Sequence, residues 1–105
     1  MEKVIDLLKS ERERTQRSIK FFKEEIEYGK KANEELQSPE FIEKHKNSYN
    51  WSDDWTIKQF IDLNVSSNNR AIASYSEKLE EANDYLLQIE RALTVLNETE
   101  KEEEK

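Results

Sequence analysis

The sequence predicts an all-α protein, an antiparallel, coiled-coil-like helical hairpin with a short helical, aromatic-rich connector. Three observations carry this. Glu, Lys, Gln, Leu and Ala, all good helix formers, dominate the chain. One glycine and one proline among 105 residues leave few turns, so the elements must be long. Two stretches repeat apolar residues at a 3-4 spacing, which lays a seam along one face of a helix. At this length one domain is expected, spanning 1–97.

The first long helix is expected over 2–37. Ile5, Leu8, Arg12, Thr15, Ile19, Phe22, Ile26, Gly29, Asn33 and Leu36 follow the heptad seam without a skip. It should stop at Ser38-Pro39, because proline disfavours helical geometry in the residue before it. The same pair reads as an N-cap and first position of a short helix over 39–46.

Residues 47–52 read as a loop. Ser52, followed by Asp53 and Asp54, offers a hydroxyl cap with carboxylates at the positive dipole end, so the second long helix is expected from 53 to 97. Its seam is Ile61, Val65, Asn68, Ile72, Tyr75, Leu79, Ala82, Leu86, Ile89, Leu93 and Leu96. Asn64 to Asn69 has poor helix propensity and is a candidate break. The apolar pattern ends after Leu96, and 98–105 is expected to be a charged, disordered tail.

Folding the two seams antiparallel sets Asn33 against Asn68, Gly29 against Ile72, Ile26 against Tyr75 and Phe22 against Leu79. Ile5 and Leu8 then meet Leu96 and Leu93. A polar pair coincides, and the glycine faces a branched aliphatic. Arg12 and Thr15 sit where apolar residues would be expected. They either weaken the seam locally or fix its register with a polar contact.

Each helix also carries a second apolar stripe beside the seam: Val4, Leu7, Phe21, Tyr28 and Ala32 in the first, and Ala71, Tyr85, Ala92 and Val95 in the second. An isolated pair of helices leaves these in water, and exposed apolar patches mark interfaces. Either 38–60 folds back over the stripe or two hairpins associate. The connector is short against a flank of roughly 50 Å, at ~1.5 Å per helical residue. The favoured expectation is therefore a homodimer forming a four-helix bundle, with Val4, Leu7, Phe21, Tyr28, Tyr85, Ala92 and Val95 as interface candidates.

The connector region holds Phe41, Tyr49, Trp51, Trp55 and Phe60, half of the chain's ten aromatics. Such side chains supply rigid contact area and are frequent among binding hot spots, which makes these five the partner-binding candidates. The competing reading is a plug covering the open end of the hairpin. Arg12, Arg14, Arg17, Lys20 and Lys23 form a basic patch that the register puts near Glu80, Glu81, Asp84 and Glu90, so interhelical pairing accounts for it. His45, between two lysines, reads as a solvated surface residue.

Composition narrows the function classes. Without cysteine there are no disulfides and no thiolate metal sites. The N-terminal apolar cluster is short and interrupted by Asp6, and no apolar run reaches the ~18 residues of a membrane span. A cytoplasmic protein without membrane attachment is expected. Residues 1–52 carry 11 basic and 11 acidic residues, whereas 53–105 carry 6 and 13, which accounts for the whole net charge of −7. An acidic half disfavours direct nucleic-acid binding, since neutralising phosphates needs a basic surface. No nucleophile–base signature, glycine-rich phosphate loop or Glu-x-x-His pair occurs, so neither enzyme activity nor a cofactor or metal is expected.

The helix-turn-helix plan with tryptophans at the turn resembles, in layout, the Trp-x-Gly helical hairpins of type VII secretion. Trp51 and Trp55 are followed by Ser-Asp and Thr-Ile, so the Trp-x-Gly turn is missing, and Tyr85 is followed four residues on by Ile89 instead of an acid. The expected function is a non-enzymatic protein–protein interaction module, in the manner of small bacterial or phage regulators and inhibitors. The alternatives are a scaffolding bundle, a secretion-type hairpin or, further off, an acidic mimic of nucleic acid.

Overall fold

The computed structural model describes residues 2–46 and 56–103, and these form three helices. Helix α1 runs over Glu2–Leu36, α2 over Pro39–His45 and α3 over Ile57–Glu103.

Helix α1 closes as its sequence dictates. Ser38 takes an extended conformation (φ −73°, ψ 145°), the geometry a following proline demands. Its hydroxyl works in both directions, donating to the Glu35 carbonyl at 2.8 Å and accepting from the Phe41 amide at 3.1 Å. One side chain thereby satisfies an orphan amide of α2 and adds to the bond that the Ser38 amide itself donates to the Glu35 carbonyl at 3.2 Å. Pro39 sits at the start of α2, with Glu40 in its first turn and Lys44 and His45 in its last, each favoured by the helix dipole.

The start of α3 differs from the sequence expectation. Ser52 lies outside the described residues, and the helix runs from Ile57 instead of 53. Thr56 caps it through a reciprocal pair: the Gln59 amide donates to Thr56 Oγ1 at 3.2 Å, and the Thr56 amide donates to Gln59 Oε1 at 2.7 Å. The candidate break over 64–69 is continuous helix. Its asparagines are held in place, Asn64 by donating to the Phe60 carbonyl at 2.8 Å, and Asn68 and Asn69 by bonds to Asn33. Helix α3 also persists to Glu103, past the expected end at 97. Thr94 and Thr99 turn their hydroxyls back onto the carbonyls of Glu90 and Val95, so neither competes with the helix from outside it.

The chain divides into two compact units. The first comprises Met1–Lys23 and Glu77–Lys105. Here α1 and α3 pack antiparallel around Ile5, Ile89 and Leu93, with Leu8 and Leu96 half-buried against them. Ile19 is buried too. Thr15 is buried at its seam position, its hydroxyl donating to the Glu11 carbonyl at 2.8 Å, which is how a polar residue is tolerated there.

The second unit is Glu24–Ser76. Gly29 of α1 meets Ile72 of α3, and Asn33 meets Asn68, as the seam register places them. Asn68 donates to Asn33 Oδ1 and Asn33 donates to Asn69 Oδ1, both at 2.9 Å, so three amides form one interhelical relay. Ile61 is buried in this unit. Ile42, Ile57 and Ile61 help line a notch of about 410 Å³. His45 departs from the solvated position expected of it, being half-buried with its ring 4.3 Å from that of Phe41, one helical turn earlier.

Among the described residues only five apolar side chains, Ile5, Ile19, Ile61, Ile89 and Leu93, are buried. Each contributes about 1.5–3 kcal/mol of apolar transfer free energy. That is a thin core for the residues described.

Candidate functional site

Of the five connector aromatics, the described residues include two. Phe41, on α2, is half-buried against His45, and Phe60 is half-buried in the first turn of α3. Tyr49, Trp51 and Trp55 lie outside the described residues.

The flank is fully described. In the first unit Val4, Leu7, Phe21, Tyr85 and Val95 are all exposed, Leu7 at 70% and Val95 at 59%, while Ala92 is half-buried. In the second unit Tyr28 is exposed at 73%. Val4, Leu7, Tyr28 and Val95 thus leave much of their apolar surface in water.

Between α1 and α3 of the first unit lies an open groove of about 370 Å³. Its cause is visible in the sequence. Thr15 and Ala82 line it, and these short seam side chains leave room where a heptad seam would normally place bulk, with Ser18 short beside them. Phe22 lines it as well, and its ring lies 5.9 Å from that of Phe21. Four charged side chains border it, Glu11 and Arg14 from α1 and Lys78 and Glu81 from α3, together with Tyr85. Arg14 and Glu81, paired in prospect by the sequence register, thus share one groove.

The Tyr85 hydroxyl donates to Glu11 Oε1 at 3.2 Å, tying the two helices together across the groove. Its acidity is held below that of an ordinary phenol, that is, its pKa is raised. Partial desolvation against the groove wall is the main cause. The Glu11 carboxylate adds to it both as a negative charge and as a hydrogen-bond acceptor, and Arg14 pulls the other way.

The groove gathers two carboxylates and two cations and presents a phenol already engaged by Glu11. Among the described residues no group of three or more His, Asp or Glu gathers to hold a metal ion, and no helix is long and apolar enough to cross a membrane.

No protein-family model, curated protein or solved structure matches this chain. Its functional reading therefore stands on its own surface.

That surface has an order which the apolar stripe alone did not reveal. Leu7, Arg14 and Phe21 are seven residues apart, and so are Val4, Glu11 and Ser18. On α3, Lys78, Tyr85 and Ala92 repeat at the same interval, and Glu81 and Val95 stand two such intervals apart. Seven residues are nearly two helical turns, so each set shares a face. The exposed flank residues of the first unit and the charged groove thus belong to one side of it. Reading only apolar letters hid this, because the middle of the stripe is charged.

Proposed function

We propose that this chain is a non-enzymatic protein–protein interaction module that works as a homodimer, two hairpins joining flank to flank in a four-helix bundle. The observation that carries the reading is exposure. Within the first unit Val4, Leu7, Phe21, Tyr85 and Val95 stand 44–70% exposed, and the seven-residue spacing sets them on one side of it. Large apolar side chains on the flank supply the part of that surface best removed from water.

A distinct protein partner is then engaged by the aromatic connector, for which Phe41 and Phe60, with Tyr49, Trp51 and Trp55, are the candidate residues. A scaffolding bundle without such a partner is the second reading. It is favoured by the packing of Phe41 on His45, which gives at least one connector aromatic a structural job. Replacing Trp51 and Trp55 by alanine separates the two: lost partner capture with unchanged melting supports recognition, and lost stability supports the plug.

The dimer is tested by light scattering coupled to size exclusion. A mass near twice 12.6 kDa, about 25 kDa, is expected. A stable monomer at high concentration overturns the reading.

A further inference from the structure

Resting on the dimer reading, we infer that the charged groove of the first unit is the orienting centre of the interface, where Arg14 and Lys78 of one copy meet Glu11 and Glu81 of the second. The chain carries a net charge of −7, all of it from residues 53–105, so two copies repel one another through that half. In the groove, where the two helices of the first unit meet, two acidic and two basic side chains balance to zero. A twofold interface brings a patch against itself, so every charge in it must find its opposite in an identical surface. A patch of one sign cannot do this, and a balanced one can.

Position supports the same occupant. Val4 and Leu7 lie on one side of the groove charges along α1 and Phe21 on the other, all on the same helical faces, while Ala92 and Val95 continue the face on α3. Apolar contact then supplies affinity, and the charges between supply orientation and discrimination against partners of uniform sign. An unrelated acidic or basic protein seated here would leave two of the four charges facing their own sign. A second copy leaves none.

Two charge-reversed variants test this. Arg14→Glu with Lys78→Glu makes the groove wholly acidic, and Glu11→Lys with Glu81→Lys makes it wholly basic. Each alone is expected to self-associate about a hundredfold more weakly than the wild type, because like charges then face one another. Mixed in equal amounts, they should form a 1:1 heterodimer of near wild-type affinity, seen by native mass spectrometry. Helicity of each variant is checked by circular dichroism, and a variant that folds only on mixing also supports the inference. If both variants dimerise like the wild type and exchange statistically, the groove does not orient the interface although the dimer stands. A monomeric wild type instead removes the dimer reading itself.

A second measurement covers the case in which reversal prevents folding even on mixing. Neutralising all four residues to glutamine should shift the change in self-association between low and high ionic strength by about tenfold toward strengthening by salt, because the attraction across the groove is lost while the repulsion between net-negative copies stays. An unchanged salt dependence overturns the inference.

Discussion

Gly29 and Ile72 approach so closely that a Cβ on the glycine would stand 2.8 Å from Ile72 Cγ1 and 3.2 Å from its Cδ1. Mid-helix, alanine is otherwise preferred over glycine by about 1 kcal/mol. Overpacking of this kind costs about 1–3 kcal/mol, and the branched Ile72 has little rotamer freedom on a helix with which to retreat. Gly29→Ala is therefore expected to lower stability by about 1 kcal/mol net. In an Ile72→Ala background the same change should raise it. A thermal or urea double-mutant cycle showing no coupling between these positions would contradict the close approach.

The amide relay of Asn33, Asn68 and Asn69 predicts a trade between stability and register. Replacing Asn68 alone with leucine strands the Asn33 carbonyl oxygen and should cost about 1 kcal/mol. Replacing Asn33 and Asn68 together with leucine should raise the melting temperature and loosen the alignment, since a half-buried amide pair at the seam fixes register at the expense of stability. Cysteine pairs placed in register and one turn out of register, compared by crosslinking yield, report the second effect.

Tyr85 should titrate above the ordinary phenol value of about 10. The folded state favours the neutral phenol, so the contribution to stability is fully present below the unfolded-state pKa and is lost as pH climbs through the higher folded value. With the other three tyrosines changed to phenylalanine, absorbance of the tyrosinate follows Tyr85 directly. Glu11→Gln should lower its midpoint and Arg14→Gln should raise it. No response to either change would mean that the groove charges do not act on the phenol.

Ser38 joins α1 to α2 through a single hydroxyl. Ser38→Ala removes both bonds and should cost about 1–2 kcal/mol. Hydrogen exchange should show the loss at the Phe41 amide first, with protection around Ile5 and Leu93 unchanged.

Leu7, at 70% exposure, has almost no packing to lose within its own copy. Leu7→Asp should therefore leave helicity unchanged while weakening self-association at least about tenfold. Unchanged self-association would place the dimer contact elsewhere.

Much of this architecture was legible in the spacing of apolar residues. A seam with few skips allows few registers, and the pairing of Gly29 with Ile72 and of Asn33 with Asn68 follows from aligning shape and polarity. The expected Ser52-Asp-Asp cap lies outside the described residues, and α3 as described begins at Ile57. The deciding signal was Thr56 with Gln59 three residues on, a reciprocal cap that satisfies two amides where a lone serine satisfies one. His45 was misread from its lysine neighbours when Phe41, four residues earlier, was the residue that governs it. The 64–69 stretch was doubtful because propensity describes a helix in isolation, while Asn68 and Asn69 are fixed from across the seam by Asn33. The groove could not be read from apolar letters, since small residues make a cavity by what they lack.

The thin core has a consequence for how the chain would behave in a cell. Five buried apolar side chains among the described residues make a small core. If two copies associate as proposed, folding is linked to concentration, and each tenfold dilution removes about 1.4 kcal/mol of it. Newly made copies would survive proteases only once enough siblings had accumulated, so the rate of synthesis, through mass action, would set a threshold below which the protein does not persist.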